Sequence, residues 1–184
     1  MTSTIWTPVL GWVAAIGAAV ALAVAAPNEK GLLGKLPNLS AKRLDQTLVT
    51  LPQQLPSDRT LAVVVFKREQ RDEARGWIDG LRLHHDPAMP WLKLQVWSDP
   101  GDESSRRSIE QQIIERHASK PDRDRVLPLF TDKQAFVRAT GLDGTEHVSI
   151  LVLDRTGNVL ARAQGPYDAG KAQALRATLL AQND

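Results

Sequence analysis

The side chains best suited to chemistry in this chain gather in one short stretch, Lys67, Arg68, Glu69, Arg71 and Asp72, between an apolar run and a helical pattern. The carboxyl end of a strand and the amino end of a helix form a cleft at such a junction. Backbone N–H groups and the helix dipole there favour an anion or a partner peptide. The same mixture of signs also suits a solvated helix start with no ligand at all. Histidines are the other candidates. His84 and His85 are adjacent, and neighbours in extended chain point to opposite sides, so they are poorly placed to share a metal. His117 and His147 stand far away in sequence. There is no cysteine, which removes thiolate nucleophiles, disulfides, iron–sulfur ligation and cysteine zinc sites together. No G-x-S-x-G elbow, H-E-x-x-H or P-loop occurs, and residues 141–144 read as a loop, not a phosphate cradle. Neither a metal nor a cofactor is expected.

The 23 Lys and Arg residues are nearly matched by 21 Asp and Glu, leaving a formal charge of +2. Basic residues alternate with acidic ones instead of lining one face with aromatics between them, which argues against nucleic acid as the main partner. Trp77, Trp91 and Trp97 read as core or rim residues, with a recognition role as the alternative.

Between Ile5 and Ala26 there is no charged residue, and about 20 such apolar residues span a bilayer as a helix. Ala23, Val24 and Ala25 form an A-x-A pattern that would direct signal cleavage before Ala26. Against cleavage, the first six residues hold no Lys or Arg, the run is longer than a usual signal core, and Trp6 and Trp12 suit an interface. A retained anchor is the preferred reading. Lys30, Lys35, Lys42 and Arg43 follow the span, and the positive-inside rule alone would put the folded part in the cytoplasm. The chain thus divides into an anchor or signal segment at 1–26, a linker at 27–36 and one domain at 37–184, long enough to bury a core unaided.

In that domain the elements alternate in type. Residues 61–66 (LAVVVF) form a strand apolar on both faces. Ala74, Trp77, Ile78 and Leu81 fall at i, i+3, i+4 and i+7 and predict an amphipathic helix over 69–83. Residues 92–97 alternate as a second strand. Ser104 or Ser105 is expected to cap a helix to His117 with Ile109, Ile113 and Ile114 inward. A polar connector spans 119–125, followed by a short segment at 126–130 and a brief helix capped by Asp132. Residues 149–153 and 159–163 read as a hairpin about the turn 154–158, and Asp168 caps a last helix with Ala172, Leu175 and Leu179 on one face. The expected class is α/β, with a mixed sheet covered by helices on both faces.

Three segments in this order, 36–51 (LPNLSAKRLDQTLVTL), 127–141 (LPLFTDKQAFVRATG) and 149–162 (SILVLDRTGNVLAR), resemble the thioredoxin-like superfamily, in particular its TlpA-like and peroxiredoxin-like branch. The family's two active-site cysteine positions correspond here to Arg71 and Ala74. Its cis-proline region corresponds to His147 and Val148, with no proline between Pro128 and Pro166. Both hallmarks are missing together, so redox and peroxidase activities do not carry over. Residues 61–77 and the Gly165-x-Tyr167 ending are also similar to the assembly chaperones of the ATP-synthase membrane sector.

The resemblance implies that the first helix start and the loop before the terminal hairpin meet at one sheet edge, placing Lys67, Arg68, Glu69, Arg71 and Asp72 beside Glu146, His147 and Val148. The expected function is a non-catalytic, membrane-tethered module that binds a protein partner at this edge, as an assembly or scaffold factor. Its expected location is the inner membrane with a periplasmic domain, or the periplasm or exterior after cleavage. The alternatives are a thiol-independent enzyme using residues 67–72 with His147, and a metal or small-ligand carrier.

Overall fold

The computed structural model describes residues 33–117 and 120–181. The expected anchor, residues 5–26, lies outside them, and among the described residues no helix is long and apolar enough to cross a membrane.

The organising element is the LAVVV run. It forms β3 (Arg59–Val65), the centre of a five-stranded sheet in the order β5-β4-β3-β6-β7. On one side β3 pairs in parallel with β4 (Trp91–Trp97), and β4 in parallel with β5 (Val126–Phe130). On the other side β6 (Ser149–Asp154) runs antiparallel, with Leu61 opposite Val152 and Val64 opposite Ser149. β7 (Val159–Gln164) then returns antiparallel to β6. A hairpin of β1 (Leu39–Lys42) and β2 (Leu48–Leu51) precedes the sheet.

Successive side chains of β3 point to opposite faces, so each face receives a separate core. Ala62, Val64 and Phe66 join Phe136 and Val137 of α4 (Lys133–Thr140) and Ala41, Val49 and Leu51 of the hairpin. Leu61, Val63 and Val65 join Ala74, Trp77 and Ile78 of α1 (Arg71–Gly80) and Ala172, Leu175 and Leu179 of α5 (Ala169–Leu180). A smaller cluster, Leu44, Ile113 and Val126, brings α2 (Glu103–Arg116) against the β5 side. Trp77 is fully buried, and its indole N–H donates to the Gly165 carbonyl at 2.8 Å, the partner a buried Trp requires. Trp91 is likewise core, donating to the Leu83 carbonyl at 2.9 Å under the Arg125 guanidinium.

The expected mixed sheet with helices on both faces is therefore present, with differences at element ends. Asp102, not Ser104 or Ser105, caps α2, because its extended backbone lets its carboxylate accept from Ser105 N–H. The polar connector is in part a short helix, α3 (Lys120–Arg125). The first helix stops at Gly80, and Arg82 in a left-handed conformation (φ 55°) turns the chain so that Leu83 is still buried. Leu36, assigned to the linker by composition, is 1% exposed, and its N–H donates to the Gly157 carbonyl, so residues 33–36 dock onto the domain.

Candidate functional site: the carboxyl edge of the central strands

β3 ends at Val65 and Phe66 stays buried, so the chain leaves the sheet at Lys67 and enters a 3-10 turn (Arg68–Gln70) before α1. One side chain ties this junction to the loop before β6. Gln70 is buried. Its Oε1 accepts from Phe66 N–H at 2.8 Å and Lys67 N–H at 3.2 Å, while its Nε2 donates to the Thr145 carbonyl at 2.8 Å. Outside this tie Lys67 Nζ meets Glu146 Oε2 at 2.6 Å, and that bond and charge hold the Glu146 carboxyl below its usual range. Both partners are substantially exposed, so the pair fixes geometry more than it stabilises. His147 Nδ1 lies 3.4 Å from Glu73 Oε1, an ion-pair distance for a protonated imidazole.

The two segments predicted to meet do meet. Arg68, Glu69, Arg71 and Asp72 are exposed alongside Lys67, Glu146 and His147. Val148 differs: it is fully buried in the α1–α5 core and presents no side chain to the edge. Asp72 lies 3.6 Å from Arg75, one helical turn away. At the positions matched to the family's cysteines, Arg71 is the exposed first residue of α1 and Ala74 is fully buried beneath it. Lys133, in the first turn of α4, donates to the Phe66 carbonyl at 3.0 Å. Its pKa is lowered by burial first and then by the nearby charge of Lys67.

On the other side of this junction is a cavity of about 350 Å³, lined by Lys67, Arg68 and Arg71 together with Lys93, Gln95 and Trp97 of β4 and Arg116 and His117 at the end of α2. Sequence reasoning placed residues 67–72 at a cleft but missed these β4 and α2 contributors. The signal was present, because Lys93 and Gln95 put polar groups at i and i+2 on a strand whose neighbours on both sides are apolar. Gln70 was also missed as the connecting residue. Among the described residues no group of three or more His, Asp or Glu is placed to hold a metal. His84 packs edge-on to Trp91 at 5.2 Å.

Three parallel strands continued by an antiparallel hairpin, with helices on both faces, define a thioredoxin-like fold. Solved structures of that type superpose over most of the chain. A candidate electron transfer protein from Aquifex aeolicus VF5 matches with a TM-score of 0.56 at 12% identity, covering 80% of this chain and 94% of its own. BsSco, a member of the Sco family of cytochrome c oxidase assembly proteins, matches with a TM-score of 0.54 at 14% identity, covering 80% and 93%. A thiol:disulfide interchange protein from Bacteroides sp. matches with a TM-score of 0.50 at 14% identity, covering 81% and 91%. These identities establish a shared fold. The chain matches no family model and no curated protein sequence. The likeness to ATP-synthase assembly chaperones rests on the short sequence segments alone.

Proposed function

We propose that this chain is a non-catalytic thioredoxin-like module, tethered to a membrane by residues 5–26, that binds a protein partner through the edge formed by residues 67–72 and 145–147. One observation carries the reading. The junction at which thioredoxin-like enzymes place their cysteines is retained here as a charged and exposed edge, tied by Gln70, in a chain that has no cysteine. With no thiol, the edge has surface to offer and no redox group. Its mixed signs, Lys67, Arg68 and Arg71 beside Glu69, Asp72 and Glu146, suit a partner of complementary pattern and set orientation and association rate more than raw affinity. The uncharged apolar stretch between Ile5 and Ala26 supports the tether, and the sequence resemblance to the TlpA-like branch supports a periplasmic domain.

The test is site-directed photo-crosslinking in membranes. A crosslinker at Glu69 or His147 should trap one discrete partner, while one at Arg155, which pairs with Asp58 at the opposite end of the sheet, should not. Replacing Glu69 and Asp72 by Lys should abolish the adduct from position 147 without unfolding the domain, since both side chains are exposed. An adduct pattern that is the same from position 155, or unchanged by the double reversal, would exclude this edge as the binding surface.

A further inference from the structure

The cavity behind the charged edge has a lining that partner binding does not explain. Lys67, Arg68, Arg71, Lys93 and Arg116 contribute cationic side chains to it, and among the described residues no Asp or Glu lines it. In a chain whose net charge is only +2, this is a local concentration of one sign. Like charges held around one space repel, and an anion within it relieves that cost. The cations are also not all spent on neighbours. The side chains of Arg71 and Arg116 make no hydrogen bond or ion pair among the described residues, and Arg68 gives its Nη2 to the neutral amide of Gln112 at 2.6 Å. Lys67 is paired with Glu146 at the rim.

A second observation is independent of charge. Trp97 lines the same cavity, and its indole Nε1 is buried without a hydrogen-bond partner. Leaving such a donor unsatisfied costs about 1–3 kcal/mol, an unmet hydrogen bond within a side chain of the cavity wall. Gln95 adds a neutral amide to the lining, and Val65, Phe66 and Trp97 add apolar surface.

We propose that this cavity binds a phosphate monoester, with its phosphoryl group among Arg68, Arg71, Arg116 and Lys93 and its organic part against Val65, Phe66 and Trp97. A carboxylate has two coplanar oxygens that a single arginine fork can saturate, whereas a phosphoryl group has three oxygens spread tetrahedrally. Cations supplied from the end of β3, the start of α1, the face of β4 and the end of α2 surround a space from several directions and match the second arrangement. The volume exceeds what inorganic phosphate alone would fill and falls at the small end of the range for small-molecule sites.

The phosphoryl group can belong to a soluble metabolite or to a lipid headgroup, and the experiment separates them. Full-length protein in detergent is titrated by calorimetry with glycerol 3-phosphate, with citrate as a polycarboxylate of similar charge, and by flotation with vesicles containing phosphatidic acid. Arg116→Gln and Arg71→Gln should each weaken phosphate-ester binding by about tenfold or more, the value of one charge-assisted hydrogen bond. Trp97→Phe should weaken it less while leaving the net charge unaltered. Saturable binding of glycerol 3-phosphate that the variants weaken identifies a soluble ester, and variant-sensitive flotation without it identifies a lipid source. Absence of both, binding indifferent to the variants, or citrate bound as tightly as the ester overturns the assignment. Arg116 is remote in sequence from the edge, so Arg116→Gln should leave the crosslink from position 147 intact, which separates failure of this site from failure of the partner reading.

Discussion

Replacing Gln70 by Ala tests the idea that one buried amide welds the two halves of the edge. The substitution removes the acceptor of Phe66 N–H and Lys67 N–H and the donor to the Thr145 carbonyl. Phe66 is 3% exposed, so its N–H finds no water and should cost about 1–3 kcal/mol when orphaned. Lys67 is exposed and Thr145 half-buried, so their groups can turn to solvent at a few tenths of a kcal/mol each. Adding the lost packing of a side chain that is only 4% exposed, the expected total is about 2–4 kcal/mol. Urea unfolding reads the total, and amide exchange should show lost protection at Phe66. Gln70→Glu sharpens the test, because a carboxylate still accepts from Phe66 and Lys67 but opposes the Thr145 carbonyl. Phe66 should then remain protected while the 145–147 loop loosens, and low pH, by protonating the new carboxyl, should restore a donor. A loss below about 0.5 kcal/mol in Gln70→Ala with Phe66 exchange unchanged would refute the weld.

Two further outcomes concern the scaffold. Gly141 caps α4 at φ 68°, and a Cβ there would lie 1.9 Å from the Leu33 carbonyl oxygen, so Gly141→Ala should destabilise by about 2 kcal/mol or more and release residues 33–36, read as new protease cleavage there. A thermal midpoint equal to wild type would show that the close approach is not maintained. The Asp102 carboxyl is lowered from 3.8 to about 2, chiefly by the Ser104 hydroxyl and then by Ser105 N–H. Because its folded pKa is depressed, the stability it contributes is complete above about pH 3.8 and disappears as pH falls toward 2. Carboxyl NMR should place its midpoint near 2, and Asp102→Asn should remove that part of the acid sensitivity; a midpoint at or above 3.8 would contradict the cap.

What could be read from the sequence follows from how local its cause is. The buried strand at 61–65 and the Asp168-capped helix with Ala172, Leu175 and Leu179 inward depend on periodicity and capping within a few residues, and both appear as expected. Asp102 does not stand out in the sequence because three candidate caps, Asp102, Ser104 and Ser105, lie within one turn, and only backbone geometry distinguishes the residue that stands outside the helix. The segment KPDRDR carries no apolar stripe, so α3 left no periodic trace. The meeting of residues 67–72 with 145–147 came from resemblance and not from any local signal, since the pairing of β3 with β6 sets it across most of the domain. The cavity was hidden for the same reason. Lys93 and Arg116 are neighbours only after β4 and α2 have been placed, and Gln70 looks like any polar residue until its three bonds are seen.

The position of β3 also determines when this domain can form. Its parallel neighbour β4 follows within about 30 residues, but its antiparallel neighbour β6 begins only at Ser149, so a chain emerging from its amino end presents β3 with one side unpaired until most of the domain has been made. Both faces of that strand are apolar and, until β6 arrives, its free N–H and C=O groups are a template for pairing with another chain. Completion of the fold therefore waits on the last hairpin, and such long-range closure is slow. Chains interrupted between β5 and β6 would retain an open central strand and aggregate instead of folding. The central sheet is therefore among the last parts of the domain to be completed as the chain is made.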